Sequence, residues 1–251
     1  MTDTALPMAA PGRSLALRRP GVAGIAAAVL LVQFALMWVA FGVLSTTIDW
    51  PASLDLPASE ALPRVAENAS AVAWGYGAYF TCSLLLVLLG ALVRRALGAD
   101  GATGDLIVAL AAAAGFAKVL GLSRWLFLMP GLAASYVAPG ATAESQAITA
   151  QLYDAFNAYA GAVGEMLGVC LFAGLWTAAV AVALWRTERR RLAAAFALAA
   201  VLLLAGLPSG FGVDVGPVLL LSGVFWQLCL AALAINLLRS GGGGSGSAPR
   251  A

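Results

Sequence analysis

Six apolar runs alternate with short polar segments along the chain. They cover about residues 22–44, 71–93, 105–129, 151–185, 192–207 and 215–238. About 20 residues of helix cross a bilayer core, so five of the runs are long enough to span; the fifth is short. The fourth exceeds what a bilayer needs, and its start is expected to project above the membrane or lie in the interface. The runs are continuous, whereas barrel strands alternate apolar and polar over about ten residues. The pattern predicts an all-α fold, a polytopic transmembrane helical bundle with about six transmembrane helices.

The segments between the runs define the organisation. Residues 1–21 are polar, with Pro7, Pro11, Arg13, Arg18, Arg19 and Pro20. The first run resembles the start of a secretory signal but is longer than the usual h-region of about 7–15 residues, and is expected to remain as a signal anchor. Residues 22–239 form the transmembrane domain. Its outer loops are expected at 45–69, 130–150 and 208–214. The first is acidic and proline-punctuated, with Asp49, Pro51, Asp55, Pro57, Glu60, Pro63 and Glu67. Pro130 and Gly131 are expected to close the third span. The tail, residues 240–251, is Gly/Ser-rich and reads as flexible coil.

Composition supports lipid as the solvent. Hydrophobic residues make up 62% of the chain and charged residues 10%, too few charges to cover a water-soluble surface. Arginine placement gives an orientation. With the N-terminus in the cytoplasm, Arg13, Arg18, Arg19, Arg94, Arg95, Arg186, Arg189, Arg190, Arg191, Arg239 and Arg250 all lie inside, and only Arg64 falls in an outer loop. Asp49, Asp55, Glu60, Glu67 and Glu144 then lie outside, as the positive-inside rule requires. Both termini are expected in the cytoplasm. Trp50, Trp74 and Trp125 are expected at the outer interface and Trp185 at the inner one, as an aromatic belt. The basic clusters are short and form no continuous basic face, so no nucleic-acid partner is expected.

The chemistry-bearing residues are few. The chain has no histidine, which removes histidine-ligated metals and a histidine base. Cys82, Cys170 and Cys229 lie singly within apolar runs without paired spacing. No catalytic motif, cofactor motif or metal site is expected. What stands out is a group of polar residues within the spans: Lys118, Arg124, Asp154, Asn157, Glu165 and Gln227. A charge in the hydrocarbon costs at least about 2.5–3.5 kcal/mol on insertion scales unless paired or hydrated, so partners must be supplied. Counting about 1.5 Å per helical residue sets Arg124 and Glu165 at similar depth, and an ion pair between them is expected. Lys118 is deeper, level with Trp226 and Gln227, where a ring face and a hydrogen bond, cavity water or snorkelling would serve it. On the fourth span, Asp154, Asn157, Gly161, Gly164, Glu165 and Gly168 recur at three- and four-residue steps. Gly164 and Gly168 make a GxxxG step suited to close helix approach. This stripe is expected to face the bundle interior, either as a packing seam with a buried ion pair or as the wall of an outward-facing polar cavity.

The runs SRWLFLMPGLAASYVAP, FNAYAGAVGEMLGVCLFAGLW and WQLCLAALAINLLR resemble a bacterial family of integral membrane proteins known only as domain of unknown function 4386. The resemblance covers roughly residues 74–239. Its most specific elements map to Arg124, Trp125, Pro130, Gly164, Glu165, Leu167 and Gly168. It implies a multi-helix protein of the bacterial inner membrane and brings no activity with it.

Two functions follow as expectations. One is a membrane protein that binds or transports a small molecule or lipid through the Lys118–Arg124–Glu165 region. The other is a regulatory or assembly subunit acting on a membrane-protein partner through helix–helix contacts. An enzyme is not expected, because no nucleophile–base pair is visible.

Overall fold

The computed structural model describes residues 21–211, 213 and 215–242. The N-terminal arginines, Asp214, Arg250 and most of the Gly/Ser tail lie outside the described residues. Helices account for nearly all of the rest, and no strand occurs among the described residues. The elements are α1 (Val22–Ile48), α2 (Ala58–Glu67), α3 (Ala69–Leu97), α4 (Gly101–Tyr136), α5 (Ala143–Arg186), α6 (Arg190–Leu204) and α7 (Gly216–Gly242). All but α2 belong to the six candidate membrane spans. Large apolar side chains lie exposed around the outside, among them Leu88, Phe116, Leu120, Val201 and Leu221. Such a surface is stable only against lipid, so this is a multi-pass membrane protein.

The six long helices form a closed ring in chain order. Each packs on the next, α1 on α3, α3 on α4, α4 on α5, α5 on α6 and α6 on α7, and α7 returns to α1. Short connections dictate antiparallel neighbours. Gly98 ends α3 in the left-handed conformation at φ 62°, which glycine adopts without strain, and α4 begins three residues later. Side-chain bonds gather the arginine-bearing ends together. Arg94 pairs with Asp105 at 3.1 Å, Arg186 donates to the Thr103 hydroxyl at 2.9 Å, and Arg189 donates to Ser240 Oγ at 3.2 Å.

At the opposite end the expected loops are largely helical. α1 runs to Ile48, where Asp49 takes the left-handed conformation at φ 61°. Residues 58–67, expected as loop, form α2, an amphipathic helix. Its buried Ala58, Ala61, Leu62 and Val65 follow the three-and-four spacing, and its acidic Glu60 and Glu67 lie exposed. Pro130 does not end the third span, because α4 continues to Tyr136. The 36 residues of α4 and 44 of α5 give helices on the order of 55–65 Å long, about twice a hydrocarbon core. Together with α2 they build a cap beyond the ring.

The interior has two apolar cores. One fills the ring from the arginine end, with Leu86, Leu89, Ile107, Trp176, Phe196, Leu230 and Leu233. The other lies under the cap, with Leu44, Ile48, Leu62, Tyr76, Trp125, Met129 and Tyr153. On each of α1, α3 and α4 a buried polar side chain separates the two: Gln33, Ser83 and Lys118.

Candidate functional site

The polar layer is built around a break in helix geometry. Residues Arg124–Leu128 of α4 and Val163–Ala173 of α5 form wide π turns instead of ordinary α turns. In α4 the cause is local. Pro130 has no N–H to offer, and its ring crowds the carbonyl four residues back. The Met129 N–H instead reaches five residues back, to the Arg124 carbonyl. Such turns are frequent at functional sites, and here they carry both Arg124 and Glu165.

α4 and α5 run antiparallel with glycine at their crossing. Gly164 lies on Gly121, Gly168 against Lys118 and Gly161 beside the Arg124 guanidinium. A β-carbon on Gly168 would come within 2.8 Å of Lys118 Cγ. The small-residue stripe is therefore used inside the fold, between neighbouring spans.

Above this crossing lies a cavity of about 70 Å³, partly open. Its charged lining is Lys118, Arg124 and Glu165; Tyr76 and Tyr79 come from α3, and Trp50 and Leu54 from the segment after α1. That segment forms a roof. The Trp50 ring meets Phe41 and Tyr79 edge-on at 5.8 and 6.1 Å. Asn157 donates its Nδ2 to the Leu54 carbonyl at 2.8 Å, tying the roof to α5. The volume suits a few waters or one small polar group; drug-sized ligands take about 300–1,000 Å³.

Lys118 is 4% exposed. Its Nζ sits 5.3 Å from the centroids of both the Tyr79 and Trp226 rings, close enough for cation–π attraction. The Trp226 ring is fixed because its Nε1 donates to Thr177 Oγ1 at 2.8 Å, and that hydroxyl donates to the Ala173 carbonyl at 2.6 Å. Arg124 donates from Nη1 to the Gly121 carbonyl at 3.0 Å and lies 5.6 Å from the Trp125 ring. Its Nε is buried without a partner. Trp125 in turn stacks on Tyr76 at 4.8 Å and 3°.

The structure brings Lys118, Arg124 and Glu165 to one cavity but does not pair them. The ion pairs among the described residues are Arg94–Asp105 and Arg190–Glu188; the expected Arg124–Glu165 bridge is not formed. Glu165 is exposed at the cavity wall. Gln227 makes no bond to Lys118; it is buried and its Oε1 has no donor. Asp154 is exposed and not part of the lining, because α5 has already left the ring at that height. The tryptophan belt also needs correction. Trp74 and Trp185 are exposed, but Trp125 is buried and Trp50 roofs the cavity. Sequence reasoning missed Tyr76, Tyr79 and the roof. Tyr76 and Tyr79 stand in an apolar run with no polar pattern to mark them, and Pro130 is the sequence feature that accompanies the wide turn of α4.

No family model, no curated protein and no solved structure matches the chain.

Proposed function

We propose that this is a non-enzymatic protein of a bacterial cytoplasmic membrane, with both termini in the cytoplasm, that binds a small anionic group in the roofed cavity at the outer end. The observation that carries it is the pair of cations, Lys118 and Arg124, lining one cavity without a carboxylate within ion-pairing distance. Charges withdrawn from water are costly until an opposite charge and hydrogen bonds reach them. A carboxylate or phosphate at the head of a small molecule or lipid would engage the free Arg124 Nε and the Lys118 ammonium. Below Lys118 the ring is filled by Trp226, Trp176 and their neighbours, which supports binding over passage. The arginine-rich end supports the orientation through the positive-inside rule.

The test is the melting temperature of the purified protein in uncharged detergent with octanoate, inorganic phosphate or octanol added. An anion should raise it, octanol should not, and Lys118→Met and Arg124→Gln should each abolish the rise. Equal responses to octanoate and octanol would overturn the proposal.

A second reading rests on a different surface. The cap portion of α5 exposes Ile148, Leu152, Phe156 and Tyr159, the last 72% accessible, at helical spacing along one side. This supports a subunit that docks a membrane partner there. Crosslinking in native membranes from a photoreactive residue at 156 tests it; lipid adducts alone would argue against it.

A further inference from the structure

The other end of the molecule carries a second built feature. Between α6 and α7, at the arginine-rich end, runs a groove of about 440 Å³. Arg191 and Arg239 flank it, one from each helix, and both are exposed. Neither takes part in an ion pair among the described residues; the nearby Glu188 carboxylate is held by Arg190 through two bonds of 3.0 Å. The walls are apolar, formed by Leu192, Ala195, Ala232 and Ile235. One polar side chain, Asn236, interrupts them, and its Oδ1 is buried with no donor. The geometry beside the groove is fixed. Arg189 Nη2 donates to Ser240 Oγ at 3.2 Å, and Ser240 Oγ donates to the Asn236 carbonyl at 2.7 Å. This clamps the last turn of α7 to the corner between α5 and α6.

We propose that this groove binds an anionic phospholipid whose headgroup carries a hydroxyl, of the phosphatidylglycerol class. Two unpaired guanidinium groups match a phosphodiester, which arginine holds through paired hydrogen bonds. The orphaned Asn236 Oδ1 is an acceptor, and an ionised phosphodiester has no proton to give it; the glycerol hydroxyl does. The Leu192–Ala195 and Ala232–Ile235 walls lead away from the arginines toward the bilayer interior and accept an acyl chain. Basic pockets between spans are recognised headgroup sites. A free phosphate would use the arginines and leave both apolar walls bare. The site lies at the opposite end from the roofed cavity and does not depend on it.

The test uses the delipidated full chain in uncharged detergent, with lipid binding counted by native mass spectrometry. Phosphatidylglycerol should bind at least tenfold more tightly than phosphatidylcholine, and glycerophosphate should not compete at equal concentration. The double variant Arg191→Ala/Arg239→Ala should lose that tenfold preference. Arg95→Ala, an exposed arginine outside the groove, should keep it. Ala232→Trp, which fills the groove and leaves both arginines, should release the lipid as well. Asn236→Leu should bind phosphatidylglycerol and phosphatidylmethanol, a phosphodiester without a hydroxyl, alike. The proposal is overturned if Arg95→Ala weakens binding as much as the double variant, if Ala232→Trp binds normally, or if glycerophosphate displaces the lipid.

Discussion

Gly121 and Gly164 meet backbone to backbone, so that a β-carbon on Gly121 would lie 2.5 Å from the Gly164 Cα and 2.8 Å from the Ala160 carbonyl oxygen. The relation is not symmetric. A β-carbon on Gly164 would find Gly121 Cα at 3.1 Å and nothing else closer than 3.8 Å. Gly121→Ala is therefore expected to cost on the order of 3 kcal/mol, the upper end of ordinary overpacking, and Gly164→Ala about 1 kcal/mol or less. Thermal denaturation in detergent, followed by size exclusion, should rank them in that order; equal losses would mean the crossing can relax from either side.

Lys118 invites an opposite experiment. Its ammonium is buried among rings with no carboxylate within 4 Å. Replacing a buried charge by an apolar chain of similar shape is often neutral or stabilising by about 1–4 kcal/mol. Lys118→Met should melt at the same temperature as the parent or higher, while losing the response to octanoate. A lower melting temperature would indicate that the lysine holds the ring together.

Thr177 carries the only hydrogen bond that fixes the Trp226 indole among the described residues. Thr177→Val keeps the shape and leaves the indole N–H buried and unpaired, a loss of about 1–3 kcal/mol. Chemical denaturation should register it. Adding Trp226→Phe should cost less in the Thr177→Val background than in the parent, because no orphaned donor then remains.

The roof is held differently, through the bond from Asn157 Nδ2 to the Leu54 carbonyl. Asn157→Ala should speed amide hydrogen exchange across residues 50–56 while lowering global stability by no more than about 1.5 kcal/mol. Unchanged exchange there would show that the Trp50 ring contacts suffice.

The spans were legible because apolar bulk alone decides what enters lipid. Depth counting also brought Arg124 level with Glu165, and Lys118, deeper, level with Trp226, since helical rise is nearly constant. It placed them near one another without fixing their bonds. The missing Arg124–Glu165 pair turns on the wide turns of α4 and α5, which redirect side chains by an amount that ordinary helical spacing does not encode. Asp154 was misplaced for a simpler reason: a helical stripe says which side a residue faces but not where the neighbouring helix stops. The roof residues Trp50 and Leu54 sit in a proline-rich segment without periodicity, so nothing in their spacing pointed inward.

The ring of helices sets an order of assembly. Every neighbour of α3, α4, α5 and α6 within the ring is adjacent in the chain, so each contact can form as soon as the next span leaves the ribosome. α1 is the exception. Its contact with α7 joins the first of the six described spans to the sixth, and until α7 arrives the side of α1 that will meet it has only lipid to rest on. A chain cut short before residue 216 would hold five spans in an open arc, with a seam for membrane quality control to find.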